Sequence, residues 1–229
     1  MFESKYSKVL TVILIIVIIA IVTLLGFLAF DYIKKYNTTK QASDFVENYQ
    51  GDISTGNTNS SENNSEKDEN VSLDGVNETQ IGSTGNNNTT STKKKYKGYT
   101  VVGTMKIPTI NLEYPIVEEV STTSLNTALV FLYPSPDNLN MPGNSVIIGH
   151  NYRNGTFFSN LKKLAKGAKI HVTDYRGTSL TYEVYNIFEA HEADTSFYQR
   201  DTNGLAELTL STCTDASNDQ RTIILAKQI

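Results

Sequence analysis

The segment ELTLSTCTDASNDQRTIILAKQ (207–228) decides the fold of the C-terminal part of the chain. It contains two runs typical of β-strands, separated by a stretch of Asp, Ser and Asn that favours a turn. In the first run, the two-residue period of a strand places Thr209, Ser211 and Cys213 on one face and the leucines on the other. If the two strands pair as a hairpin, we expect Arg221, near the start of the second strand, to lie close to Cys213.

Similar short runs occur throughout the region from about residue 96 to residue 229, which is long enough to form a core of its own. Pro, Gly, Asn and Asp residues separate these runs, which cover residues 99–107, 128–133, 144–150, 168–174 and 179–188. Several short strands at close spacing predict an all-β sandwich or barrel. One short helix is predicted near residues 155–166, because Phe158, Leu161 and Leu164 recur at helical intervals.

Residues 9–30 form an apolar run without a charged side chain. As a helix this run would be about 33 Å long, enough to cross the hydrocarbon core of a bilayer. It is longer than the apolar region of a signal peptide, and it is not followed by a small-residue cleavage site. We therefore expect a single-pass membrane anchor with residues 1–8 as a short cytoplasmic tail. The flanking lysines barely indicate an orientation, but so short a tail favours a C-terminal domain outside the cytoplasm.

The stretch between residues 51 and 95 contains no aromatic residue and few large aliphatic ones. Such a segment cannot bury enough apolar surface to offset the entropy lost on ordering, so we predict a flexible tether. The predicted organisation is a cytoplasmic tail (1–8), a transmembrane anchor (9–30), a juxtamembrane segment with an Asn/Ser/Thr-rich linker (31–97) and a C-terminal catalytic domain (98–229).

Charge and cysteine content narrow the possible functions. The formal net charge of -4 argues against a nucleic-acid-binding protein, which usually carries an excess of basic residues. Cys213 is the single cysteine, so the chain cannot form an intramolecular disulfide. A lone cysteine in an exported protein indicates intermolecular pairing, a reactive thiol or a buried structural thiol. The placement of Cys213 at the end of a polar strand face favours the reactive thiol.

Three side chains at predicted strand ends suggest chemistry. His150 ends the run 144–150, and Cys213 and Arg221 flank the predicted hairpin turn. A thiolate can act as a nucleophile, a histidine can transfer protons in acyl transfer, and an arginine can stabilise an oxyanion. Each residue also has a structural interpretation, because a histidine often holds a loop and an arginine often forms a surface ion pair. We assign His171 and His191 to structural roles.

These residues resemble a known family. The similarity lies in TLSTC with Arg221 eight residues beyond it, IIGHN, GTMKIPTINLEYPIVE and PGNSVIIGHN (209–213, 147–151, 103–118 and 142–151). Together they resemble the sortases of Gram-positive bacteria over roughly residues 98–229. The resemblance implies an eight-stranded sortase β-barrel with one or two short helices. An N-terminal anchor followed by a polar spacer also fits the layout of that family.

The resemblance also implies an activity. A sortase cleaves a C-terminal sorting signal of LPxTG-like or NPQTN-like type, forms a thioacyl enzyme and passes the surface protein to a cell-wall amine. By the motif match, Cys213 is expected to be the nucleophile, His150 the acid and base, and Arg221 the carbonyl-binding group. Ser211 is a further possible substrate contact. The expected partners are therefore sorting-signal-bearing proteins, a cell-wall precursor amine and the membrane, and we predict no cofactor, no metal ion and no nucleic acid.

The subclass and the competing functions stay open at this point. The TLSTC segment and the residues after His150 look class B-like, yet only 63 positions separate His150 from Cys213. Class B sortases usually carry a longer insertion there, so a class A or class D layout remains compatible. A tethered β-domain that binds peptides without catalysis is the main alternative. A papain-like protease is disfavoured, because its cysteine precedes its histidine.

Overall fold

The computed structural model describes residues 3–55, 93–132 and 136–229, with side chains described for residues 9–50 within the first range. Most of the predicted tether, residues 56–92, lies outside the described residues, so its flexibility stays a prediction. The same holds for the cytoplasmic tail, of whose side chains nothing is described.

The described chain begins with one long helix and continues as a series of short strands. The helices are α1 (Glu3–Thr55) and α2 (Thr122–Leu125), with 3₁₀ helices at Pro108–Ile110 and Phe158–Lys163. The strands are β1 (Lys95–Tyr96), β2 (Tyr99–Ile107), β3 (Leu112–Val117), β4 (Leu129–Leu132), β5 (Gly143–Ile148), β6 (Lys169–Asp174), β7 (Ser179–His191), β8 (Ala206–Cys213) and β9 (Gln220–Gln228).

The strands form a closed barrel. Their order is β1-β2-β3-β4-β5-β8-β9-β7-β6, and a further pairing of β2 with β6 closes the sheet, so that β2 to β9 are the eight barrel strands. Two neighbouring pairs are parallel, β3 with β4 and β5 with β8, and the other barrel pairs are antiparallel. The predicted all-β barrel with eight strands is confirmed. The parallel pair β5 and β8 brings the end of β5 next to the end of β8.

The interior of the barrel follows the two-residue period of its strands. Leu208 and Leu210 of β8 lie in the main hydrophobic core with Ile224 and Ala226 of β9, and all four are fully buried. Alternate residues of β8 therefore point away from this core, towards the opposite face. Cys213 belongs to that opposite set, as its position in the sequence predicts.

Two local predictions were less accurate. The strand-like runs did not include β3, which contains Pro115, and only the resemblance of residues 103–118 to the opening strands of the sortase fold covered it. The structure nevertheless pairs β3 with β2, with Pro115 opposite Thr104. The helix expected near residues 155–166 is a 3₁₀ helix limited to Phe158–Lys163, with Phe158 and Leu161 buried against the barrel.

Helix α1 is long and apolar enough to cross a membrane, and its apolar residues between 9 and 30 are exposed. The helix continues far beyond this run, to Thr55. Ala42, Val46 and Tyr49, spaced at helical intervals, are buried against the barrel. The sequence assigned this part of the chain to a juxtamembrane segment and linker. It made no prediction of a helix there, and the structure packs residues of this segment directly onto the barrel.

Candidate active site

The hairpin of β8 and β9 places Cys213 opposite Arg221. The two residues are direct cross-strand partners in an antiparallel pair, so their side chains share one face of the sheet. The turn between them is held by Thr214, whose hydroxyl accepts a hydrogen bond from the Ser217 backbone amide at 3.1 Å. The predicted proximity of Cys213 and Arg221 is confirmed in the register of the strands.

The parallel pair of β5 and β8 brings His150 to the same edge. Ile148, the last residue of β5, is the partner of Ser211 in β8. His150 lies two residues beyond the end of β5, and Cys213 lies two residues beyond Ser211, at the end of β8. The barrel topology therefore directs the three predicted site residues to one edge of the sheet.

Hydrogen bonds fasten the chain around His150 to the end of β8. The Thr212 hydroxyl donates to the Gly149 carbonyl at 2.7 Å, and the Gly149 amide donates to the Ser211 carbonyl at 3.3 Å. On the other side of His150, the Asn151 amide group donates to the Cys213 carbonyl at 2.9 Å. His150 is thus bracketed by two residues that are bonded directly to the strand of the cysteine.

The imidazole of His150 lies in a partly buried, aromatic environment. Its ring centroid lies 4.8 Å from that of Tyr152, and the Tyr152 hydroxyl donates to Asn126 Oδ1 at 2.5 Å. Burial lowers the pKa of His150 below its ordinary value, because it penalises the charged imidazolium. Nε2 is buried without a hydrogen-bond partner among the described residues. A substrate group entering the site could supply that partner.

The guanidinium of Arg221 has a carboxylate partner. Its Nη2 lies 2.7 Å from Glu192 Oε2, and Nη1 donates to the backbone carbonyls of Asn218 and Gln220. The ion pair is partly exposed, with 25% of the Arg221 side chain and 47% of the Glu192 side chain accessible. In this structure, the contacts described for the guanidinium are therefore with its own turn and with the β7–β8 loop.

A small, largely buried apolar cluster adjoins the Cys213 and Arg221 pair. Ile223 shares the face of Arg221 on β9 and packs in a small cluster with Ala190 and Leu225. The partly buried rings of Phe188 and Phe197 pack against this cluster. The site therefore combines a charged edge with an apolar neighbour, an arrangement that suits a peptide with both apolar and polar groups.

The loop between β7 and β8 is anchored beside this cluster by Arg200. Its guanidinium donates to Glu207 Oε2 at 2.6 and 2.8 Å and to the Thr209 hydroxyl at 2.8 Å. The Thr209 hydroxyl in turn donates to Asn144 Oδ1 at 2.9 Å. Arg200 thus ties the loop to both β8 and β5.

The sequence identified the central residues and missed their neighbours. Cys213 is half-buried, and Ser211, a possible substrate contact, is only 3% exposed, which leaves little of it for a ligand to touch. Glu192, Asn151 and Tyr152 were not given roles. Asn151 and Tyr152 directly follow His150 in the chain, which was an available signal, whereas nothing in the sequence pairs Glu192 with Arg221.

Comparison with known proteins identifies related domains. The family model "Sortase domain" matches residues 105–229. No curated protein matched the chain. Among solved structures, the chain is similar to sortase A from Corynebacterium diphtheriae, with 32% identity and a TM-score of 0.52 over 57% of this chain and 61% of that one. It is also similar to sortase C-1 from Actinomyces oris, with 27% identity and a TM-score of 0.52 over 56% of this chain and 74% of that one.

A third similar structure is the sortase D5 transpeptidase of Clostridium perfringens, with 26% identity and a TM-score of 0.51 over 56% of this chain and 79% of that one. The three structures represent different sortase classes, so the matches identify the family and leave the class open. The matched domain includes β5, β8 and β9 with Cys213, His150 and Arg221. The chain belongs to the sortase family of cysteine transpeptidases.

Proposed function

We propose that this chain is a membrane-anchored transpeptidase that cleaves a C-terminal sorting signal and transfers the surface protein to a cell-wall amine. The observation that carries this proposal is the cross-strand pairing of Cys213 with Arg221, next to a His150 loop that is hydrogen-bonded to the same strand. A nucleophile, a proton carrier and an oxyanion-stabilising cation at one site are what acyl transfer requires.

In the proposed first step, the Cys213 thiolate attacks the carbonyl carbon of the scissile peptide bond. A C–S bond forms, the C–N bond breaks, and His150 donates a proton to the departing amine. In the second step, the acceptor amine attacks the thioester, His150 accepts its proton, and the Cys213 thiolate leaves. Atoms and charges balance without a further reactant, so the proposed reaction uses only the protein, the sorting signal and the amine.

The environment of His150 supports its proposed role. A buried Nε2 without a described partner can form a hydrogen bond to the departing or incoming amine. The lowered pKa favours the neutral imidazole, which is the form that accepts a proton from the acceptor amine. Because the neutral form predominates, the protonated form required in the first step is the scarcer one near neutral pH.

Arg221 gains a second partner in the proposed reaction. Its guanidinium carries five donors, enough to keep Glu192 and also bind a substrate carbonyl. We propose that it stabilises the oxyanion formed during attack by Cys213. The partial exposure of the ion pair supports this proposal, because a peptide can reach the guanidinium without unfolding the hairpin.

The adjoining apolar cluster supports a sorting signal with an apolar residue, as in the LPxTG type. The partly buried rings of Phe188 and Phe197, which pack against the buried Ile223 cluster, offer an apolar contact for that residue. For the subclass, we propose a class D-like enzyme within the mixed class B and class D prediction. The β7–β8 connection is short and contains no helix, unlike the longer helical insertion usual in class B.

We propose further that the apolar part of α1 is the membrane anchor and that the barrel lies outside the cytoplasm. The exposed apolar residues of α1 support the anchor. The proposed location follows from the substrates, because sorting signals and cell-wall amines meet outside the membrane.

The proposal is tested by product analysis with the full chain in detergent. Peptides carrying LPxTG-like and NPQTN-like signals are incubated with and without an amine such as triglycine. We expect cleavage of one signal and, with the amine present, a peptide joined to it; Cys213→Ala should abolish both products. Peptide binding of equal affinity in wild type and Cys213→Ala, without any cleavage, would instead support the non-catalytic binding domain.

A further inference from the structure

A groove lies between α1 and the barrel, and its lining does not include Cys213, His150 or Arg221. It has a volume of about 340 Å³, and its lining includes Lys35 from α1 and Arg153, Lys162 and Lys163 from the segment after His150. The other lining residues are uncharged and small or polar, including Asn160. The groove therefore concentrates four cations around a cavity whose own lining contains no carboxylate.

Most of this positive charge is not neutralised by the protein. Lys162 forms an ion pair with Asp215, and Arg153 Nη2 donates to the Thr214 carbonyl at 3.4 Å. Within the described ranges, neither Lys35 nor Lys163 forms an ion pair. The groove thus retains net positive charge that a bound anion would compensate.

Gly155 allows the helix and the barrel loop to approach closely here. It has a φ of +88°, a conformation that residues with side chains rarely adopt. A Cβ atom on this residue would lie 3.1 Å from Nζ of Lys35. The missing side chain leaves the space that the ammonium group occupies, so the lysine of α1 lies in the groove.

The position of Lys35 along α1 places the groove close to the proposed membrane surface. Lys35 lies five residues after the apolar run ends at residue 30. At about 1.5 Å per residue this is roughly 7.5 Å along the helix axis, which is the depth of the headgroup layer. Tyr49, which packs on the distal side of the barrel, lies roughly 28 Å along the helix axis from the end of the apolar run.

We infer that this groove binds the phosphate groups of anionic lipids in the membrane in which α1 is anchored. Lysine and arginine side chains at the headgroup level are attracted to anionic lipid phosphates. Bound lipid would hold the barrel with the segment after His150 facing the bilayer. The inference rests on the proposed anchoring of α1 and concerns a site that the transfer reaction does not use.

The test measures which side of the barrel touches the membrane. The full chain with Cys213→Ala is given a single new cysteine, either Asn160→Cys at the groove or Lys97→Cys in the distal β1–β2 turn, and each is labelled with a fluorophore. The proteins are reconstituted in vesicles that contain a headgroup-quencher lipid, with either phosphatidylcholine alone or one third phosphatidylglycerol. We expect stronger quenching at position 160 than at position 97, and a larger difference with phosphatidylglycerol.

A matched pair of charge variants identifies the groove as the cause. The quenching gives the equilibrium constant between barrels whose groove touches the bilayer and barrels whose groove does not. Each lysine near an anionic surface changes this constant roughly fivefold, so Lys35→Gln with Lys163→Gln should lower it roughly 25-fold. Lys166→Gln with Lys227→Gln removes the same charge from exposed positions outside the groove lining and should have a much smaller effect.

Several outcomes would overturn the inference. They are equal quenching at both positions, independence from phosphatidylglycerol, or equal effects of the two variant pairs. Release of the label from the surface by inorganic phosphate, beyond that caused by sodium chloride of equal ionic strength, would assign the groove to a soluble phosphate instead. Flotation of the vesicles separates the two proposals, because failure of the anchoring leaves the protein unassociated with vesicles.

Discussion

Thr212→Val tests whether the His150 loop is held in place by the strand of the cysteine. Thr212 is 4% exposed, and its hydroxyl donates to the Gly149 carbonyl at 2.7 Å. Valine has nearly the same shape, so the substitution removes this hydrogen bond and leaves a buried carbonyl without its donor. The expected loss of stability is about 2 kcal/mol. For a domain of this size, the corresponding fall in Tm is roughly 5–10 °C.

The same change should affect catalysis, because Gly149 directly precedes His150. A shift of the imidazole by about 1 Å is enough to lower the rate roughly 100-fold. The assay combines thermal unfolding in detergent with kcat and KM for peptide transfer, and we expect the loss mainly in kcat.

Thr222→Val is the matched control for Thr212→Val. Thr222 is the cross-strand partner of Thr212 and is 7% exposed, and no side-chain hydrogen bond is described for it. The reasoning is refuted if the two variants lose equal stability and equal kcat.

Three further predictions concern separate parts of the molecule. Arg221→Ala should lower kcat/KM roughly 100- to 1000-fold, and Arg221→Lys should recover little, because an ammonium lacks the planar fork of donors; full activity of the lysine variant would exclude a role for that fork. Burial holds the pKa of His150 below its ordinary value, so the folded state binds this proton less readily than the unfolded chain. Stability should therefore fall as the pH decreases through the ordinary value of 6.5 and be fully present above it, and His150→Gln should weaken this trend in thermal unfolding; an unchanged trend contradicts the assignment. Val46→Asp would bury a charge where α1 meets the barrel, so amide exchange should increase over residues 42–50 while the barrel strands stay protected; unchanged exchange there would show that the helix is not held by this contact.

The parts of the fold that the sequence predicted depend on local patterns. The pairing of Cys213 with Arg221 follows from two adjacent strands and one turn, so the register could be inferred from spacing alone. The run 144–150 likewise predicted a strand up to His150, and the structure ends that strand two residues earlier, at Ile148. Its parallel pairing with β8 is a long-range contact that strand periodicity cannot predict. Only the family resemblance indicated that His150 and Cys213 belong to one site.

The features that the sequence did not predict depend on tertiary contacts between residues that are distant in the chain. The pattern of runs did not show β3, which contains a strand-weakening proline, and the resemblance of residues 103–118 to the sortase strands was the only signal for it. Val46 and Tyr49 gave too short an apolar pattern, within a polar stretch, to predict a docked helix. The ion pair of Glu192 with Arg221 joins a loop to a strand 29 residues away, a separation that no helix or hairpin spacing anticipates.

The most direct measurement of the central claim is the intact mass of the full chain after incubation with a sorting-signal peptide and no acceptor amine. Quenching in acid and peptide mapping would locate any adduct. We predict a thioester on Cys213 that hydroxylamine removes, absent from Cys213→Ala and strongly reduced in Arg221→Ala and His150→Ala. Cleavage of the peptide without an adduct on Cys213, or an adduct that forms equally well without Arg221 and His150, would contradict the account.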